Sequence, residues 1–223
     1  MEPHPILLNV ERTMVMRDLN MVAPDYVTLY DKITALVSEI IGAPVSLVSM
    51  VASNYQFFKS HHGLPEPWKS RRQTPLSHSF CQHVVSSNEP LIVSDAREVN
   101  LLKSNLAIPD LSVIGYLGIP LTLDKKHTLG SFCIIDIEPR EWLPVEISIM
   151  EKFASIITEE INLKAKARLN RAAFSSQLQA FEAKTTAFID DVDRTTSKED
   201  FLQAVDGLCD SLGLSMSPTP TKA

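Results

Sequence analysis

Gly115-Tyr116-Leu117-Gly118-Ile119-Pro120-Leu121-Thr122-Leu123, then Asp124-Lys125-Lys126-His127, then Thr128-Leu129-Gly130-Ser131-Phe132-Cys133-Ile134-Ile135-Asp136-Ile137-Glu138-Pro139-Arg140 is the stretch whose reading decides the fold. Both arms are apolar and β-branched and the link is polar, so the stretch predicts a β-hairpin. Gly115 and Gly118 leave two points of the first arm without side chains. Either something approaches the backbone there or the strand bulges. Pro120 cannot donate to a ladder, which places this arm at an edge or a bulge. An isolated hairpin is unstable, so more sheet and a covering helix are required.

The flanking chain supplies both. From Ile6 to Met21, Leu7, Val10 and Met14 fall at helical spacing, and Pro24 breaks the pattern. Tyr26, Leu29, Tyr30, Ile33, Leu36, Val37, Ile40 and Ile41 form a wide stripe of period 3.6, with Asp25 in the first turn and Gly42 and Pro44 ending it. Val45 to Val51 reads as a strand buried on both faces. A turn at Ser53-Asn54 leads to a second strand, Tyr55 to His61. Gly63 to Thr74 reads as a loop. Thr74-Pro75 predicts a helix start, running to about Ser87. Pro90 to Ser94 is a short strand. Asp95 and Glu98 form a capping signature for a further helix, and the segment up to Val113 reads as loop around Pro109. Pro144 opens a long helix with Ile149, Met150, Phe153, Ile156, Ile157 and Ile161 on one face.

After about Arg168 the pattern changes. Phe174, Leu178, Phe181, Thr185, Phe188 and Val192 alternate spacings of four and three, a heptad seam. Ser197 and Asp200 cap a last helix with Phe201, Leu202, Val205, Leu208, Cys209 and Leu212 inward, ended by Gly213. The tail from Ser215 has a disordered composition.

The totals narrow the function classes. The 223 residues allow one ordinary domain plus an appendage. A net charge of −6 argues against a nucleic-acid groove and against an acidic-membrane surface. Cys81, Cys133 and Cys209 are far apart and odd in number, which predicts a reducing, cytoplasmic setting. No secretory signal and no membrane span are read.

The order of elements resembles a GAF domain over about residues 26–168. The strings that carry the resemblance are Phe57-Phe58-Lys59-Ser60 with Gly63-Leu64, Ser79-Phe80-Cys81-Gln82-His83-Val84-Val85, and Pro90-Leu91-Ile92-Val93-Ser94-Asp95-Ala96. Gly115 to Leu121 and Leu129 to Asp136 with Pro139-Arg140 complete them. The resemblance implies an α+β fold: an antiparallel sheet of about five strands with helices on one side, plus a C-terminal helical extension. The corresponding division is a helical segment 1–24, the GAF domain 25–168, the extension 169–214 and a disordered tail 215–223. It also implies a small-molecule or light-sensing module, often dimeric, of the kind found in bacterial signalling proteins. It names no ligand or cofactor.

The candidate ligand-binding residues are Phe58, Lys59, Trp68, Ser79, Cys81, His83, Tyr116 and Cys133, where strands and loops converge. Aromatics with a few polar groups suit an organic ligand, and the opposing reading is that they fill the cavity themselves. Cys81 could be a sensing thiol, a bilin attachment site or a haem ligand. Bilin-binding GAF domains carry the cysteine directly before a histidine, however, and here Gln82 intervenes. Counted from Thr74, Cys81 falls about two turns into its helix and shares a face with Val85, which favours a buried structural thiol. His83 lies on another helix face, and pocket and capping roles both stay open. Cys133 reads as strand core. Asp95 reads as a helix cap, and Asp136 with Arg140 as a turn or ion pair. No catalytic constellation and no metal-ligand pattern emerges.

The expectation is a cytoplasmic, non-enzymatic sensory module that binds a small molecule or senses redox state. It would signal through terminal helices, as a homodimer and with a possible signalling protein as partner, although the heptad helix could instead fold back on the domain. The alternatives are a thiol-dependent reductase of free methionine sulfoxide and a ligand-free interaction scaffold.

Overall fold

Two left-handed residues, Asp124 and Lys125, with φ of 49° and 56°, turn the chain between β5 (Gly115–Leu123) and β6 (His127–Asp136). The pair runs in register from Gly115 opposite Asp136 to Leu123 opposite His127. The computed structural model describes residues 4–24 and 27–214. The readings placed on Asp25, on Tyr26 and on the tail from Ser215 lie outside them.

β1 (Val45–Val51) pairs β6 on one side and β2 (Tyr55–His62) on the other. The short strands β3 (Gln73–Pro75) and β4 (Leu91–Val93) close the two edges, giving the antiparallel order β3-β2-β1-β6-β5-β4. The sheet therefore has six strands, one more than expected. The extra strand is β3, inside the stretch read as a loop and a helix start. A single helical turn, α3 (Trp68–Arg71), precedes it. β4 reaches only from Tyr116 to Gly118 along β5. Pro120 lies past its end, so the proline's missing N–H faces an edge with no partner strand.

The pleat sends alternate residues to two cores. Val48, Met50, Leu117, Ile119, Phe132 and Ile134 face the long helices α2 (Thr28–Ile41) and α6 (Pro144–Leu169). Leu47, Val51, Phe58, Tyr116, Cys133 and Ile135 face the other way. There they meet the short helices α4 (Cys81–Ser87) and α5 (Ala107–Leu111), with loop residues between. All long helices of the domain thus lie on one face, and short helices and loops cover the other. The predicted stripes of α2 and α6 are buried as read, each such side chain contributing about 1.5–3 kcal/mol. Gly42 caps α2 in the left-handed conformation.

Three local readings are corrected. Thr74 does not start a helix, because it is 1% exposed and pairs with Gln56 in the sheet. A 3-10 turn at Leu76–His78 follows, so α4 begins at Cys81, which is its first residue. Asp95 caps no helix, since its carboxylate accepts from the Arg97 backbone N–H at 3.0 Å and pairs with the Arg97 guanidinium. The helix of this region is α5, built across Pro109.

At the N-terminus, a 3-10 turn (Pro5–Leu8) and α1 (Val10–Asp18) replace a single helix. Leu7 is buried against the α4 core, whereas Val10 and Met14 are exposed. The residues α1 turns inward are Met16 and, unexpectedly, Arg12. The Arg12 guanidinium donates to the carbonyls of Thr128 (2.7 Å), Leu129 (3.0 Å) and Val51, tying α1 across β1 and β6.

The C-terminal extension is α7 (Arg171–Asp191) and α8 (Lys198–Ser211). Asn170 ends α6 and caps α7, so the two helices form a tight hairpin. Phe181, Thr185 and Ile189 of α7 are buried, and Phe181 and Ile189 join Phe201, Val205 and Leu208 of α8 in the core of α2 and α6. That half of the seam is occupied inside the chain.

Candidate functional site

The face of the sheet opposite the long helices encloses a narrow cavity lined by Phe58, Phe80, Cys81 and Tyr116, with His78 and Leu111 toward the loops. The space open to the centre of a water molecule is about 20 Å³, room for one or two waters. The protein's own aromatic rings fill the rest: Phe80 and Tyr116 lie tilted with centroids 5.3 Å apart.

Local structure places each group. Gly118 lies two residues beyond Tyr116 on the same face of β5, and an added Cβ there would stand 2.3 Å from the Tyr116 hydroxyl. The bare glycine is what lets the ring lie back along the strand. The hydroxyl then reaches Cys81 Sγ at 3.2 Å and Ser131 Oγ at 3.4 Å. Ser79 positions Cys81 from the other side. Its Oγ accepts from the Gln82 N–H at 3.0 Å at the start of α4 and donates to Gln56 Oε1. Cys133, opposite Gly118 in the ladder, brings its Sγ to 3.8 Å from Cys81 Sγ. Ser49, opposite Ser131, is buried and its hydroxyl helps hold the Cys81 pKa down.

The two thiols titrate together. The hydrogen bond with Cys133, opposed by burial and aided by Tyr116, brings Cys81 down to about 7. Burial and the neighbouring Cys81 push Cys133 well above the ordinary thiol range. Burial likewise raises Tyr116 far above the usual phenol value, so it remains a hydrogen-bond donor at neutral pH. Cys81 is buried as read, but it opens α4 instead of lying two turns into a helix.

The mouth is a polar latch. His78 Nε2 pairs with Asp110 Oδ2 at 2.9 Å, and the Leu106 N–H donates to the Ser77 carbonyl at 3.0 Å. Asn105 donates to the Ser79 carbonyl at 3.3 Å. Trp68 packs tilted against His78, centroids 5.3 Å apart, and carries the Arg71 guanidinium over its ring.

Of the residues read as candidates, Phe58, Cys81 and Tyr116 line the cavity. Cys133 and Ser79 stand immediately behind it, and Trp68 flanks its mouth. Lys59 is not among the lining residues: its ammonium donates to the Asn20 and Ala23 carbonyls, at 2.9 and 3.2 Å, in the segment before α2. His83 is likewise not among the lining residues, and burial lowers its pKa. The sequence reading missed Gln56, His78 and Leu111. Reading residues 75–87 as one helix hid the 3-10 turn that swings His78 inward. Among the described residues, no group of three or more His, Cys, Asp or Glu could hold a metal ion, and no helix is long and apolar enough to cross a membrane.

The family model described as "GAF domain" matches residues 25–161. A cyclic di-GMP phosphodiesterase of Pseudomonas aeruginosa is 28% identical over 136 residues, 60% of this chain. The match spans only 22% of that relative's length. Among solved structures, the GAF domain of a phosphoenolpyruvate-protein phosphotransferase from Coxiella burnetii superposes with a TM-score of 0.54 at 19% identity. It covers 75% of this chain and 95% of that one. The PixJ GAF domain of Thermosynechococcus elongatus gives 0.52 at 17% identity, covering 78% and 95%. The free methionine-R-sulfoxide reductase of Neisseria meningitidis gives 0.50 at 14% identity, covering 68% and 89%.

Proposed function

The chain belongs to the GAF domain family, and on that premise we propose that it is a non-catalytic sensory module. Its sensing site is the Cys81–Tyr116 cavity, and its output runs through α6 and the C-terminal helices. One observation carries the reading: the strands that wall the cavity also carry the long helices. Tyr116 lines the cavity and Cys133 stands directly behind it, while their neighbours Leu117 and Ile134 pack in the core of α2 and α6. A displacement of β5 or β6 by an occupant is therefore felt directly by α6. α7 and α8 share that core, so they move with it or lose contacts. The likeness to a stretch of a cyclic di-GMP phosphodiesterase supports a signalling context.

The ligand is small. The cavity as it stands has room for one or two waters, so a larger organic molecule is seated only when the segment holding Asn105, Leu106 and Asp110 releases Ser77, His78 and Ser79. A useful signal needs about 1–3 kcal/mol of coupling between site and helices, comparable to breaking a few such contacts.

Native mass spectrometry of the purified chain and of Leu111→Trp, which fills the cavity, tests the reading. The expected result is a retained small molecule on the wild type, absent from the variant, with slower amide exchange in α6 when it is present. Bare chain mass for both proteins, with identical α6 exchange, would overturn it.

A further inference from the structure

We propose that Cys81 and Cys133 are an oxidisable dithiol, closed to an intramolecular disulfide by a small hydroperoxide that enters the cavity. The proposal rests on the cavity being the sensing site and names its stimulus as an oxidant.

The geometry carries it. The two sulfurs are 3.8 Å apart and 52 residues apart in sequence. A disulfide requires about 2.05 Å, so the sulfurs must approach by roughly 1.8 Å, within reach of side-chain rotation and a small shift of α4. Cys81 lines the cavity whereas Cys133 stands behind it. An entering oxidant thus meets Cys81 first. The cavity has room for about two oxygen atoms, which suits a hydroperoxide and excludes bulky disulfides such as oxidised glutathione. The Tyr116 hydroxyl, 3.2 Å from Cys81 Sγ, donates to the thiolate as it forms. The thiolate is the attacking form, and a thiol with pKa near ambient pH combines a good thiolate fraction with good nucleophilicity; at about 7 Cys81 meets that condition.

The chemistry balances in two steps. Cys81 thiolate attacks one peroxide oxygen. The O–O bond breaks and an S–O bond forms, giving the sulfenic acid and a hydroxide that takes up the proton released by Cys81. Cys133 sulfur then attacks the sulfenic sulfur. The S–S bond forms, the S–O bond breaks, and the leaving hydroxide departs as water with the Cys133 proton. Two thiols are oxidised and hydrogen peroxide is reduced to two waters; an alkyl hydroperoxide would give one alcohol and one water. Cys209 provides an internal control, because it is buried on α8, belongs to the other core, and has its pKa raised by burial.

The reduced full chain would be exposed to hydrogen peroxide at pH 7, alkylated after unfolding, digested and analysed by mass spectrometry. The expected product links the Cys81 and Cys133 peptides, two hydrogens lighter than their sum, with Cys209 alkylated. In Cys133→Ser, Cys81 should stop at a sulfenic acid trapped by a 1,3-dione probe; Cys133→Ala gives the same readout if the serine variant fails to fold. Leu111→Trp should slow oxidation at least fivefold. Full alkylation of both cysteines, a link through Cys209, or equal rates in wild type and Leu111→Trp would each overturn the proposal. An unreactive dithiol in a protein that retains an organic ligand would overturn this inference alone and leave the sensory reading standing.

Discussion

Tyr116 reaches Cys81 because Gly118, two residues on, has no side chain. The tyrosine ring occupies the space a Cβ would take, and its hydroxyl ends 3.2 Å from the sulfur. The bare position in the hairpin thus serves a close approach, by a side chain of its own strand.

Gly118→Ala should force that ring out of place. The added methyl would lie 2.3 Å from the hydroxyl and 2.7 Å from two ring carbons, in a core where Tyr116 is 1% exposed. Overpacking of this kind costs about 1–3 kcal/mol. Urea unfolding should show that loss. In Tyr116→Leu the same alanine should cost much less, a non-additivity that a double-mutant cycle reads directly.

Tyr116→Phe removes a donor to the Cys81 sulfur and keeps the ring. The pKa of Cys81 should rise from about 7, because a hydrogen bond to the thiolate is lost while burial still opposes ionisation. The pH dependence of Cys81 alkylation, followed by peptide mass spectrometry, should move upward relative to wild type. Cys209 should not move.

Glu182 on α7 makes the helical layer sensitive to pH. Burial, and next the Glu160 carboxylate, raise its pKa, while Lys164 opposes them. The folded protein therefore favours the protonated acid. This stabilising contribution is complete below the unfolded value and is lost as pH rises through the folded one. Glu182→Gln should match the wild type near pH 4 and become the more stable of the two by pH 7, in thermal unfolding across that range.

Arg12 should matter more than its place near a terminus suggests. It is 1% exposed, and burial lowers its pKa to about 10. Arg12→Met leaves the carbonyls of Val51, Thr128 and Leu129 without this partner. At about 1–3 kcal/mol for each buried group left unsatisfied, partly offset by relief of a desolvated charge, a net loss of about 2–4 kcal/mol is expected from denaturant unfolding. Amide exchange should rise first at the β1 and β6 ends that Arg12 joins.

Local pattern was enough wherever one periodicity ran unbroken. The β5–β6 hairpin, β1, α2, α6 and α8 stand where hydrophobic spacing put them, since burying one stripe or one run decides each element by itself. It failed where a distant partner competed for the chain. Thr74-Pro75 has good helix-start chemistry, yet pairing with Gln56 and Tyr55 drew it into β3. The start of α4 moved to Cys81 as a result, and the inward turn of His78 could not be seen. Asp95 has cap chemistry too, but the nearby Arg97 took its carboxylate.

The amino-acid order alone therefore settled the antiparallel layer, its long helices and the family to which the chain belongs, because these follow from burial repeated at short range. Only the folded chain decided what the cavity is made of. It set Cys81 beside Cys133 across 52 positions, turned Lys59 to the Asn20 carbonyl, and buried Arg12 under the hairpin. The physical reason is range: periodicity reports which face of an element is buried, whereas ladder register and helix packing choose what that face meets.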